Sequence, residues 1–135
     1  MTIELRLDRT ATLAQTVHIR THELVADVSK AEGGGDTGPS PHDLYDAALG
    51  ACKALTVMWY ARKKGIPVDD IQTQVERDDA DERKGIYRLT TTLKVHGALS
   101  DAQLQELEAV AGKCPVHKLM TTVTTEITTR MERLP

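Results

Sequence analysis

GPSPHDLYDAALGACKALTVMWYARKKGIP, residues 38–67, decides how the rest of the chain is arranged. Ser40 stands as a cap before Pro41, a residue that suits the first turn of a helix. The run that follows has almost no polar interruption: Leu44, Ala47, Ala48, Leu49, Ala51, Cys52, Leu55, Val57, Met58 and Trp59. Arg62, Lys63 and Lys64 close it, where a helix dipole favours cations, and Gly65 and Pro67 stop it. From Asp43 to Lys64 such a helix is roughly 33 Å long. Its apolar residues do not keep to one narrow stripe, so it is expected to be buried on most sides.

Lys53 breaks the run, Asp43 and Asp46 flank it, and no stretch reaches the 18 or so apolar residues of a membrane span. The N-terminal MTIELRLDRT holds no apolar signal-peptide core, and a cytoplasmic, membrane-free chain is expected. At 135 residues one domain, 1–135, is expected. The formal net charge of −3 is spread out with no basic block, which argues against nucleic acid. With one Trp, three Tyr and no Phe, the core must be built from Leu, Val, Ile, Ala and Met.

Working outward, residues 2–8, 15–20 and 23–29 alternate apolar and polar positions and read as a meander of three short strands, with Ile3, Leu5 and Leu7 on the inner face of the first. Residues 30–41, KAEGGGDTGPSP, are a loop. After the helix, VDDIQTQVER alternates Ile71, Thr73 and Val75 as a strand. DDADERKG (78–85) is a solvated hairpin tip, and IYRLTTTLKVHG (86–97) is a second strand with Tyr87, Leu89, Thr91, Leu93 and Val95 on one face. Ser100 caps a helix over 101–113, Pro115 opens a short one, and TVTTEITTRME (122–132) reads as a closing strand. The fold class is α+β.

Two cysteines in a cytoplasmic chain raise redox or catalytic chemistry before a structural disulfide. Cys52, between Ala51 and Leu55, reads equally well as a small buried hydrophobe. Cys114 precedes Pro115 at the start of a helix, where backbone N–H groups lower a thiol pKa. His42 and Asp43 open the central helix, nearly three turns before Cys52, and line one end of a pocket at most. Asp43 also serves the helix dipole there. His117 lies three residues after Cys114, but a second close ligand pair for zinc is lacking, so no metal and no cofactor are expected. Arg20 ends an apolar-alternating strand, and a guanidinium beside a thiol would stabilise a thiolate.

GGGDTGPSPHDLYDAALGACKALTVMWYARKKGIP, a charged hairpin, then GKCPVHKLM and a closing strand resemble the OsmC/Ohr family, the osmotically inducible and organic-hydroperoxide-resistance proteins. The resemblance covers nearly the whole chain. It implies an intertwined homodimer with the long helices packed in the middle and sheets of both chains around them. It also implies a thiol peroxidase. Cys52 takes the place of the cysteine that attacks the hydroperoxide and Cys114 that of the cysteine that resolves the sulfenic acid as a disulfide; an external dithiol then reduces it. A family arginine orients the thiolate, here Arg20 in preference to Arg9. The family's glutamate falls where this chain has His42, followed by Asp43. CPVH resembles a less-studied branch more than the peroxidases proper. Two readings follow: a Cys-dependent peroxidase acting on organic hydroperoxides, or a non-peroxidase dimer of the same fold that binds a small apolar ligand or partner.

Overall fold

Ser40 and Asp43 exchange hydrogen bonds at the start of the central helix. The Asp43 amide donates to Ser40 Oγ (3.1 Å) and the Ser40 amide donates to Asp43 Oδ2 (3.0 Å). This reciprocal cap satisfies two backbone N–H groups that the helix itself leaves free. In the computed structural model, which describes residues 1–135, the helix α1 runs over Pro41–Lys64. Before it come β1 (Ile3–Leu7), β2 (Gln15–Ile19) and β3 (His22–Ala26), an antiparallel sheet in the order β1-β2-β3. After it, β4 (Asp70–Asp78) and β5 (Arg88–His96) form a two-stranded sheet, joined through a 3₁₀ turn at Glu82–Lys84. The helices α2 (Asp101–Ala111) and α3 (Pro115–Thr121) follow, with Ser100 and Gln103 forming a capping box on α2. The α+β class and the order of elements from β1 to α3 expected from the sequence are borne out.

The chain divides into two compact units, residues 1–48 with 75–90, and residues 49–74 with 91–135. The first holds the three-stranded sheet, with Ala14, Val17 and Ala26 buried. Its glycine-rich loop is organised by Asp27, a buried carboxylate. Asp27 Oδ2 accepts hydrogen bonds from Thr37 Oγ1 (2.7 Å), the Thr37 amide (3.1 Å) and the Gly35 amide (3.2 Å), and Oδ1 accepts one from the Val28 amide (2.8 Å). Gly34 and Gly38 are required here because a Cβ on either would stand 2.4 Å from a backbone carbonyl oxygen, of Val28 and Val25 respectively. The loop is therefore held tightly and delivers the chain to the Ser40 cap.

The Thr37 hydroxyl, then the Thr37 and Val28 amides, lower the Asp27 carboxyl from 3.8 to about 2. A carboxyl depressed by folding stabilises the fold above its unfolded pKa and loses that contribution as pH falls through the folded value. Stability measured by urea unfolding is expected to decline between about pH 4 and pH 2 and to decline less in Asp27→Asn. An identical acid profile in the variant would exclude this loop as a source of acid sensitivity.

The second unit buries Val57, Ala61, Ile66, Leu107 and Ala111, with Tyr60, Val68, Ile71, Leu93 and Leu99 packed against them. On β5 the residues Leu89, Thr91, Leu93 and Val95 are half-buried and their neighbours exposed, as the alternation requires.

Three expectations need correction for this chain. The central helix is not covered on most sides: Asp46, Leu49, Gly50, Lys53, Val57 and Ala61 are buried at helical spacing, while Ala51, Leu55 and Trp59 are exposed on the other side. Ile3, Leu5 and Leu7 are exposed, because β1 has only β2 beside it and no layer of the same chain over its apolar face. Residues 124–135 form no strand. Their alternation suits a ladder, but a strand exists only when a neighbour supplies hydrogen bonds, and none in this chain does.

Candidate functional site

Cys52 lies half-buried in the middle of α1, and Cys114 is the fully buried N-cap residue of α3. Pro115 at the first position of α3 leaves the next two amides free to turn to sulfur. The Val116 amide donates to Cys52 Sγ (3.5 Å) and the His117 amide to Cys114 Sγ (3.4 Å). The Cys52 thiol is near enough to raise the pKa of Cys114. The first turn of α3 thus gathers both sulfurs. The sequence expectation of a lowered Cys114 pKa is corrected: burial pushes the thiol up and outweighs the His117 amide, the Cys52 thiol pushes the same way, and the positive charge of Lys53 pulls down.

Lys53 was visible in the sequence only as a break in an apolar run. It is 5 % exposed. Its ammonium donates to the Ala111 carbonyl at the end of α2 (2.9 Å) and to His117 Nδ1 (3.0 Å). An ammonium has no lone pair, so Nδ1 of His117 accepts and the ring proton sits on Nε2. A cavity of about 440 Å³ adjoins it, lined by Val57, Leu93, Val95, Leu104, Leu107 and other residues of this unit.

In the first unit, His42, Asp43 and Asp46 meet β4 and the turn after it. Arg77 Nε donates to Asp46 Oδ2 (2.6 Å) and Nη2 to Asp43 Oδ1 (2.7 Å). The Tyr87 hydroxyl donates to Asp46 Oδ1 (2.7 Å). The Ser40 amide and then the Arg77 guanidinium hold Asp43 below the usual carboxylate range. The two carboxylates raise Arg77 further still, and burial, with the Asp46 bond, pushes Tyr87 up to about 12. His42 Nε2 meets Glu82 Oε1 at 2.5 Å, and that carboxylate raises the imidazole pKa. The chain therefore places a glutamate against His42, from a turn 40 residues further on. Arg20, the arginine chosen from sequence, sits in the turn between β2 and β3 with φ of 56°, exposed and without an ion pair.

Arg77 carries a signal in the sequence itself. It has the same parity as Ile71, Thr73 and Val75, the inward side of β4. Arg77→Met removes the counter-charge of Asp46, a buried carboxylate, and is expected to cost about 2–4 kcal/mol. The guanidinium is 30 % exposed, and water already screens part of the pair. Urea unfolding of Arg77→Met and of Arg77→Met/Asp46→Asn checks it, since the double variant should recover part of the loss.

A family model described as OsmC-like protein matches residues 33–130, from the glycine loop to beyond α3. The chain belongs to the OsmC-like family. No curated protein matches it. Among solved structures, a Psychrobacter arcticus protein named for osmotic stress induction and detoxification response has a TM-score of 0.74 at 20 % identity, covering 90 % of this chain and 89 % of that one. An OsmC-like protein of Mycoplasma pneumoniae gives 0.70 at 20 %, covering 90 % and 87 %. The organic hydroperoxide resistance protein OhrB of Bacillus subtilis gives 0.58 at 25 %, covering 90 % of each chain. The OsmC-like fold expected from the sequence is thus shown. No helix is long and apolar enough to cross a membrane.

Proposed function

We propose that this OsmC-like protein is a thiol peroxidase for organic hydroperoxides, with Cys52 as the attacking sulfur and Cys114 as the resolving one. The gathering of both sulfurs on adjacent amides at the first turn of α3 carries the reading. Family membership and the likeness to a hydroperoxide resistance protein support it. Cys52 is the more exposed sulfur and the one a substrate reaches. Its thiolate attacks the terminal peroxide oxygen; an S–O bond forms and the O–O bond breaks. The leaving alkoxide takes up a proton and departs as an alcohol. Cys114 sulfur then attacks the sulfenic sulfur, and an S–S bond forms as hydroxide leaves and is protonated to water. Two thiols and one hydroperoxide yield a disulfide, an alcohol and water. An external dithiol restores the thiols by exchange.

The reaction takes place in the cytoplasm and in a homodimer on this reading. The exposed apolar side chains support a second copy: Ile3, Leu5 and Leu7 of β1, Leu55 and Trp59 of α1, and Ile127, Met131 and Leu134 of the C-terminal segment. No residue of the first-unit cluster is assigned contact with substrate. Arg77, Asp43 and Asp46 there anchor the start of α1, and His42 pairs with Glu82.

The second reading is a non-peroxidase dimer that binds a small apolar ligand. The cavity lined by Val57, Leu93, Val95, Leu104 and Leu107 favours it. Stopped-flow oxidation of the reduced protein by an organic hydroperoxide and by hydrogen peroxide separates the two. Rapid oxidation with preference for the organic compound supports the peroxidase. Inertness to both, with the cysteines reduced and the fold intact, favours the binding protein.

A further inference from the structure

An ammonium in the interior of a small protein is costly unless something nearby carries a compensating charge. Lys53 is inside, and its hydrogen-bond partners, the Ala111 carbonyl and His117 Nδ1, are neutral. None of the chain's ion pairs includes it. The titratable groups around it are few. From α1 comes Cys52, the next residue in the chain; from α3 come His117 and Cys114; from α2 comes Glu108, an exposed residue on the wall of the adjoining cavity. The part of β5 that lines the cavity contributes Thr91, Thr92, Leu93 and Val95, which do not ionise in this range. Glu108 being exposed to solvent, the anion-forming groups on the protein-covered side of Lys53 are the sulfurs.

We propose that Lys53 is a positioning residue of the thiol pair: its buried ammonium holds His117, and with it the turn that carries Cys114, and balances the charge of the thiolate when one of the two sulfurs is deprotonated. The path is continuous in the structure. Lys53 Nζ binds the His117 ring, the His117 amide binds Cys114 Sγ, and the neighbouring Val116 amide binds Cys52 Sγ. Lys53 would thus do from inside the helix what the family resemblance assigns to an arginine from a strand.

The pair of charges also links Lys53 to the redox state. When one sulfur of the dithiol form is deprotonated, the thiolate stands against the ammonium. In the disulfide form neither sulfur carries charge, so the ammonium loses its counter-ion and its proton affinity falls. The proton it gives up goes to solvent. The inference rests on the redox reading of Cys52 and Cys114 for its use, while its tests read thiol and amine ionisation, whatever the substrate.

In the first test, reduced wild type, Lys53→Met and Lys63→Met are titrated by ultraviolet thiolate absorbance and by the pH dependence of iodoacetamide alkylation. Lys63, an exposed lysine over the Trp59 ring, is the control. In Lys53→Met the first thiol ionisation is expected to rise by about one pH unit and alkylation at neutral pH to slow about tenfold; Lys63→Met should match wild type. A folded Lys53→Met with the wild-type profile overturns the proposal. The second test needs no variant. The Lys53 side-chain carbon-13 signal is followed against pH in the dithiol and disulfide forms, and its midpoint should be lower in the disulfide form by about a unit or more. Equal midpoints overturn the charge balance. If the alkylation profile moves while hydroperoxides leave the protein unoxidised, Lys53 keeps this role and the peroxidase reading falls.

Discussion

Cys52→Ser is expected to reduce the rate of hydroperoxide consumption by at least about a hundredfold, which corresponds to about 2.7 kcal/mol of lost transition-state stabilisation. A serine hydroxyl is not ionised at neutral pH, so the substitution removes the nucleophile while almost preserving side-chain volume. Cys114→Ser should behave differently. Its first oxidation should stay within about tenfold of wild type, because Cys52 still attacks; the product should then stop at a sulfenic acid that a dimedone-type reagent traps. Mass spectrometry of each variant after one equivalent of an organic hydroperoxide distinguishes the cases. If Cys114→Ser loses the first step and Cys52→Ser keeps it, the roles are reversed. The burial of the two sulfurs argues against that outcome: Cys114 is 0 % exposed and its thiol is pushed up by that burial, whereas Cys52 is half-exposed.

Leu55→Glu is expected to split the proposed homodimer into monomers in sedimentation or light scattering. Leu55 is 70 % exposed and Trp59, one turn further on, 62 %. Two apolar side chains of that size on one stripe of a helix are rarely left to water. Covering a leucine contributes about 1.5–3 kcal/mol, and a two-fold interface uses each residue twice, so about 3–6 kcal/mol is at stake. A buried, unpaired glutamate adds to the loss. The dissociation constant should rise by about 10²–10⁴. A single-chain mass for the unaltered protein, with a cooperative melt, would refute the dimer. A dimeric Leu55→Glu would place the interface elsewhere, for example on β1.

How much of this was legible beforehand depends on how local the cause is. Alternation over Ile71, Thr73, Val75 and over Leu89, Thr91, Leu93, Val95 predicts β4 and β5, and the structure has both. Ser40 before Pro41 predicts the start of α1, and Ser100 with Gln103 the start of α2, because a cap is made within one turn of chain. The motifs GPSP and CPVH, with a cysteine in the helix, pointed to the family that the match over residues 33–130 shows. The same locality explains a missed residue: the parity of Arg77 in β4 already put it on the side of Ile71, Thr73 and Val75.

Other features have no local cause. Whether the thiol pKa at the start of α3 moves down with the backbone amide or up with burial depends on how much protein closes over Cys114, and burial wins. Lys53 reads as a flaw in an apolar run until the end of α2 and the His117 ring are brought to it. The alternation of residues 122–132 is genuine, yet no strand forms, since a ladder belongs to two segments and the second is not in this chain. Residue order by itself determined the elements and the chemical groups they carry. Tertiary structure alone decided which of those groups meet and which of them water reaches, because hydrogen bonding between distant segments and burial depend on the positions of all the elements together.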